Sequence, residues 1–316
     1  MPALVCMMNE GWCATDEYIA VHHPGFSTAA LRDEDLIISH AVGRGGTVSD
    51  PDVSKVQAAL NNVPVALGGP ATKLVVDGNA GPETITAIET FQQFHFIPTD
   101  GRVDVLSRTH AKISSLQPPK IRRMIAAKQD LDPALECIKA AIAKLDLARL
   151  ALTSSTTLFG DAALDHVNRV FDVTKAADPA GAIDFIIYIY RRMQSVFART
   201  GGPWGWKTFE ADPFAGRWSA MTWPGGFARQ GQFYGCLRID AIYLSTFYGK
   251  HSKDYRIMSI IHELAHFVGP EKGDQILDYG YGTTAKLATL SPYRKQHNAE
   301  SFGNFAYGCK FGERTF

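Results

Sequence analysis

Apolar positions fall into helical register early in the chain. Val53, Val56 and Leu60 recur at three- and four-residue spacing, which predicts an amphipathic helix. Asp77-Gly78-Asn79-Ala80-Gly81-Pro82-Glu83-Thr84 then reads as a tight turn entering a second helix, whose Ala87, Ile88 and Phe91 share one face. Asp100-Gly101-Arg102-Val103-Asp104 leads into a third, short helix ending near Ile113, so Val48 to about Ser114 forms a three-helix unit. Gln117-Pro118-Pro119-Lys120 reads as an extended linker, because consecutive prolines are barred from a helix interior. Beyond it, Ile121 to Leu150 predicts one long or two shorter helices, and Asp161 to Val173 and Ile183 to Arg199 predict two more. Leu237 to Leu244 alternates like a strand, expected along the edge of a cleft, where such an edge can pair with an extended peptide. Last, Ile257 to Val268 is apolar on nearly every side yet carries His262, Glu263 and His266. These three would be drawn out of water and need a partner.

Composition narrows the classes. Thirty-two basic residues balance thirty-two acidic ones, so charge gives no reason to expect nucleic acid or an anionic membrane as partner. No run approaches the roughly 18 apolar residues of a membrane span. The N-terminus lacks a basic segment and an adequate apolar stretch before Glu10 and Asp16, so it is not a standard secretory signal. Cys6, Cys13, Cys137, Cys236 and Cys309 contain no C-x-x-C pair, which removes a thiolate zinc site; Cys6–Cys13 and Cys236–Cys309 bridges are conceivable, and free buried thiols are the commoner state. Residues 1–46 carry loop signals at His22-His23-Pro24-Gly25 and Gly43-Arg44-Gly45-Gly46 and have no assigned function. Gly201 to Gly235 holds four of the five tryptophans, as either a cleft wall or an aromatic core.

The chemistry lies in His262-Glu263-Leu264-Ala265-His266. On a helix the i, i+4 spacing puts both imidazoles on one face, where they can hold one zinc ion, and Glu263 can reach a water as general base. A catalytic zinc also needs a third protein ligand and an open position. Asp274 or Asp278 could supply it after a turn at Gly269-Pro270, whereas Glu271 follows the helix too closely to fold back. A structural zinc would normally have four protein ligands, and Glu263, which is not a ligand, argues for catalysis. His251 and His297 lack ligand spacing.

Two family resemblances add to this. Val76-Asp77-Gly78 with Gly81-Pro82-Glu83-Thr84, then Ala87 with Phe91-Gln92, then Asp100-Gly101-Arg102-Val103-Asp104 resembles the three-helix peptidoglycan-binding domain of bacterial cell-wall enzymes. It departs in a longer loop from Pro64 to Lys73 and in a second turn without Gly-Pro-x-Thr. Asp278-Tyr279-Gly280-Tyr281-Gly282 resembles the Asp-x-x-Tyr-Gly of the aspzincin metallopeptidases, the group of deuterolysin and the fungal lysine-specific metalloendopeptidases. Leu158-Phe159-Gly160, Ile242-Tyr243-Leu244 and Asn298-Ala299-Glu300-Ser301-Phe302 extend this likeness over roughly 125–309, while Gln275-Ile276 stands where the family has Gly-Thr. The resemblance implies Asp278 as third zinc ligand, Tyr281 as the residue assisting the transition state, and Glu300 and Tyr243 as substrate contacts. Glu300 matches one of two acidic positions tied to lysine preference, and Gly303 occupies the other.

The expected fold class is therefore α+β, mainly helical. Residues 1–46 are an extension, 47–115 a peptidoglycan-binding-like unit, 116–120 a linker and 121–316 a zinc metallopeptidase domain. The expected activity is a zinc endopeptidase brought to the bacterial cell wall, cutting peptide cross-bridges of peptidoglycan. The alternatives are a general or lysine-preferring protease acting on proteins, and a cell-wall adaptor with an inert zincin domain. Peptidoglycan or envelope protein is the expected partner. Wall binding without a standard leader suggests an exported antibacterial effector acting in the periplasm or at the wall, for which a secretion-machinery component and an immunity protein would be further partners.

Overall fold

The computed structural model describes residues 36–46, 51–153, 158–198, 208–211, 220–245, 248–270 and 273–312. The architecture is α+β and mainly helical. Cys6, Cys13, His22, His23, Trp204, Trp206, Trp218 and Glu271 lie outside the described residues.

The first unit contains helices α1 (Pro51–Asn62), α2 (Pro82–Phe94) and α3 (Arg108–Ser115). Strands β1 (Val42–Gly43) and β2 (Arg102–Val103) pair antiparallel beside them. Val53, Val56, Leu60, Ile88, Phe91 and Ile113 form its core, as their spacing requires. Leu36, Ile38 and Val42 join that core, so the described end of the extension is an integral part of this unit.

Two buried glutamines organise its turns. The Gln57 amide nitrogen donates to Asp77 Oδ1, the Asn79 carbonyl and Thr84 Oγ1, and its oxygen accepts from the backbone of Asp77 and Gly78. Gln92 repeats the pattern with Asp100, the Arg102 carbonyl, Thr109, and the backbone of Asp100 and Gly101. The second turn lacks Gly-Pro-x-Thr, yet Thr109 arrives at the equivalent place. Gly78 (φ 73°) and Gly101 (φ 68°) supply the left-handed backbone that both turns need.

The expected linker is not extended. Helix α4 runs unbroken from Pro118 to Ala151, 34 residues, with Gln117 at its N-cap. Pro118 and Pro119 occupy its first turn, where a missing N–H costs no helical bond; the doubled proline therefore marks a start. Gln117 donates to the carbonyls of Ala59 and Ile113, and buried Lys120 donates to Ser114 Oγ, which ties the start of α4 to the first unit.

A second core surrounds α4. Helices α5 (Leu158–Phe171) and α6 (Pro179–Val196) pack on it, followed by strands β3 (Phe209–Ala211), β4 (Ala220–Met221), β5 (Phe233–Tyr234), β6 (Leu237–Arg238) and β7 (Ile242–Leu244). Helix α7 (Lys253–Val268) and the short α8 (Thr284–Leu287) and α9 (Pro292–Gln296) lead to α10 (Ala299–Phe311). None of these helices is long and apolar enough to cross a membrane. Cys137 and Cys309 are free thiols, pushed up to about 12 by burial, so the Cys236–Cys309 bridge is not made.

The segment Leu237–Leu244 is not one strand. β6 pairs with β5 as a hairpin, the chain turns at Asp240, and β7 enters a separate sheet in the order β3-β7-β4. β7 is central, parallel to β3 and antiparallel to β4, and all three of its residues are buried; it offers no edge to a peptide. Asp240 breaks the alternation by turning back to Arg238, whose Nε donates to Asp240 Oδ1 at 3.0 Å.

The two cores meet at a half-buried ion-pair chain. Lys112 Nζ of α3 lies 3.1 Å from Glu210 Oε2 of β3, and Arg238 Nη1 lies 2.9 Å from the other oxygen. The Arg108 guanidinium sits 3.6 Å from the centroid of the Phe233 ring alongside. Burial pushes the Glu210 carboxyl up, but Lys112 and Arg238 outweigh it and hold it below the ordinary glutamate range. Its stabilising contribution is thus fully present above the unfolded-state pKa and is lost as pH falls through the lower folded one. Glu210→Ala should destabilise the protein by about 1–3 kcal/mol at neutral pH, since it removes the carboxylate that the largely buried Lys112 pairs with, while Arg238 keeps Asp240. In urea unfolding the difference from the parent should shrink on acidification; a constant difference down to strongly acidic pH would contradict this assignment.

Candidate metal centre

Helix α7 begins at Ser252, whose side chain accepts from the Tyr255 N–H, and from Ile260 to Val268 every residue is buried. Its first turns are held by Arg256, which makes a two-pronged contact to buried Asp130 of α4 at 2.8 and 3.2 Å, with the Tyr248 hydroxyl donating to the same carboxylate at 2.9 Å. The zinc-type motif therefore sits on a helix fixed in the core.

His262 and His266 turn their Nε2 atoms toward each other, 3.2 Å apart. Asp278 Oδ1 lies 3.0 Å from His262 Nε2 and 3.2 Å from His266 Nε2. Among the described residues no other group of three histidine, cysteine or carboxylate side chains converges in this way. Asp274, the other candidate, instead accepts from the Tyr293 hydroxyl at 3.1 Å and lies outside the cluster. Each imidazole is oriented from behind: His262 Nδ1 faces Glu300 Oε2 at 3.0 Å, and His266 Nδ1 faces the Ile276 carbonyl at 2.7 Å. Both rings are thus oriented to present Nε2 inward, as lone pairs once a cation displaces the proton there.

These spacings fit a small tetrahedral cation. Zinc–donor bonds of about 2.0–2.1 Å place neighbouring ligand atoms about 3.3 Å apart. Two imidazole nitrogens and one carboxylate oxygen, with one side open, form a donor set suited to zinc. Without a cation the site is held by a proton. Burial alone would push His262 down, but Asp278 and Glu300 outweigh it and raise its pKa well above the usual histidine range. Burial likewise raises Asp278, and the two imidazoles outweigh that, holding it far below the usual carboxylate range. Metal loading must therefore expel a proton.

Glu263 is buried beside the cluster, and among the described residues its carboxylate has no hydrogen-bond partner. Burial pushes its carboxyl above the ordinary range, and the two imidazoles only partly offset this. The Tyr281 ring is exposed and stacks on His262, with centroids 5.7 Å apart and planes within 15°, while its hydroxyl contacts Asp278. Burial first, then Asp278, raises the Tyr281 pKa, so the phenol stays protonated.

The loop bearing Asp278 and Tyr281 hangs on the start of α10. Leu277 bridges Asn298 through backbone bonds to His297 and Ala299, and the fully buried Asn298 accepts from the N–H groups of Tyr279 and Gly280 through Oδ1. Asn298 as a loop anchor escaped sequence reasoning, although an Asn opening a helix after a polar turn is a usable signal.

The two residues expected as substrate contacts stand in different surroundings. Tyr243 is buried in β7 with its hydroxyl accepting from the Arg238 N–H at 2.7 Å, and its ring meets Trp223 edge-on. Trp223 packs there with Tyr234 as part of an aromatic cluster. Glu300 faces the metal cluster and spends its second oxygen on the Gly282 N–H. His297 packs between Phe185 and Tyr293, and His251 against Tyr255.

The family model for a peptidoglycan binding domain matches residues 49–106. Among solved structures, a zinc peptidase from Grifola frondosa is similar at 17% identity, covering 58% of this chain and 95% of its own, with a TM-score of 0.35. No curated protein matches the chain.

Asp278→Ala should abolish zinc retention, whereas Asp274→Ala should leave it at the level of the parent. Metal content after dialysis, measured by atomic emission, separates the two; equal retention by both variants would remove Asp278 from the ligand set.

Proposed function

We propose that this chain is a zinc-dependent endopeptidase directed to the bacterial cell wall. In this reading residues 47–115 are a wall-binding unit and the region from α4 onward carries catalysis. The observation that supports it best is the convergence of His262, His266 and Asp278 on one point, with Glu263 buried at its side and without a hydrogen-bond partner among the described residues. The family match over residues 49–106 supports peptidoglycan as the polymer bound.

His262, His266 and Asp278 hold the metal. Zinc, when bound, supplies polarisation of the scissile carbonyl and acidification of a water. Glu263 takes the proton from the attacking water as its oxygen bonds to the carbonyl carbon. It then delivers that proton to the departing amine nitrogen as the C–N bond breaks. Tyr281, held protonated, donates a hydrogen bond to the carbonyl oxygen as that oxygen gains negative charge, a contribution on the order of 3 kcal/mol. The hydrophobic wall of α7 keeps Glu263 and both imidazoles from bulk water, which strengthens each of these interactions.

Glu263→Ala should retain zinc while lowering kcat on the order of 10³-fold, the range of a lost general base. Purified sacculi and casein are the test substrates, with release of new amino termini as the readout. Hydrolysis of sacculi by the parent alone is expected. Equal rates for parent and variant would refute the enzymatic assignment, and cleavage of casein alone would replace the wall substrate with protein.

A further inference from the structure

Gly282 follows Tyr281 directly and has a left-handed backbone, φ +108°. A side chain there would strike Lys286, with its Cβ 2.7 Å from the lysine Cδ. The peptide at Gly282 is gripped from both sides by α10. Its N–H donates to Glu300 Oε1 at 3.2 Å, and its carbonyl accepts from Asn304 Nδ2 at 2.6 Å. Glu300 and Asn304 stand four residues apart and so share one helix face. The other oxygen of the same carboxylate, Oε2, lies 3.0 Å from His262 Nδ1. One carboxylate therefore ends on the imidazole that turns Nε2 to the metal site, and on the turn that presents Tyr281.

We propose that Glu300 is a positioning residue that couples the metal ligand His262 to Tyr281, and this rests on the metal-centre reading above. It holds a proton on His262 Nδ1, which leaves Nε2 as the free donor. His266 receives the same service from a neutral carbonyl, that of Ile276, so only His262 is backed by an anion. Through Gly282, Glu300 also fixes where the Tyr281 phenol stands relative to that imidazole. The near-parallel stacking of Tyr281 on His262 is the geometric result. Both carboxylate oxygens are engaged inside the site and the side chain is only 14% exposed, so Glu300 is not placed to receive a substrate cation.

The test compares the full-length parent with E300A and with the near-isosteric E300Q, which can keep one of the two bonds but not both. Zinc affinity is measured by chelator competition, ligand geometry by the visible spectrum of the cobalt-substituted protein, and kcat at saturating zinc. For E300A we expect zinc affinity lowered about 10–100-fold, an altered cobalt spectrum, and kcat reduced even when fully loaded. E300Q should fall between parent and E300A in affinity, and it carries the test should E300A fail to fold. A variant that binds zinc as the parent does, with the parent's cobalt spectrum, would overturn the coupling to His262. An unchanged kcat at full loading would overturn the coupling to Tyr281. A parent that binds no zinc would instead remove the metal centre itself, and this inference with it.

Discussion

The site depends on the hold that the start of α10 has on a loop with almost no secondary structure of its own. Residues 276–282 contribute a carboxylate, a phenol and an orienting carbonyl, yet only the Leu277 bridge is regular backbone pairing. Asn298 closes two of the remaining N–H groups with one oxygen, Glu300 a third, and Asn304 a carbonyl. A loop in that position would otherwise strand polar backbone beside a buried helix. Satisfying those groups and aiming Asp278 are the same structural act. The chemistry on α7 is thereby built from two helices that approach each other closely, through Phe302, Phe305 and the apolar side of the zinc-type helix.

The electrostatics follow from that closure. His262 sits between two carboxylates, Asp278 in front and Glu300 behind. An imidazolium there is stabilised by both, and a divalent cation at Nε2 would answer the same surplus of negative charge. Glu263, one residue along, is buried beside this pairing with no hydrogen-bond partner among the described residues. Asp278, paired with both imidazoles, and Glu263, without such a pairing, are pushed in opposite directions, the usual route by which neighbouring acids acquire different duties.

Much of this was legible in the chain. The i, i+4 histidines and an all-round apolar context predicted a buried helix, and α7 is one. Val53, Val56 and Leu60, and likewise Ala87, Ile88 and Phe91, predicted helix faces that are buried. What failed did so for identifiable reasons. Doubled prolines at 118–119 are equally at home in a spacer and in a first helical turn, and only the tertiary contacts of Gln117 and Lys120 decide between them. Alternation at 237–244 predicts one strand because side-chain period says nothing about a turn that Asp240 makes by bonding back to Arg238. The choice between Asp274 and Asp278 is one of loop path, which is set by Asn298, more than fifteen positions downstream. Gln57 and Gln92 were invisible because a polar residue on a helix reads as solvated until its buried partners are known.

Helix α4 carries one more implication. It starts inside the first unit, pinned by Gln117 and Lys120, and ten residues on, roughly 15 Å at the 1.5 Å rise of a helix, its Asp130 grips α7. A slack tether would let a catalytic cleft sample a volume around its anchor and meet many bonds at a modest effective concentration. A stiff member abolishes that search. Bonds lying at the distance and angle set by the helix are met at high effective concentration, and all others at essentially none. On the proposed function, selectivity within a regular polymer would arise from where the chain is anchored, before any pocket has sampled a side chain.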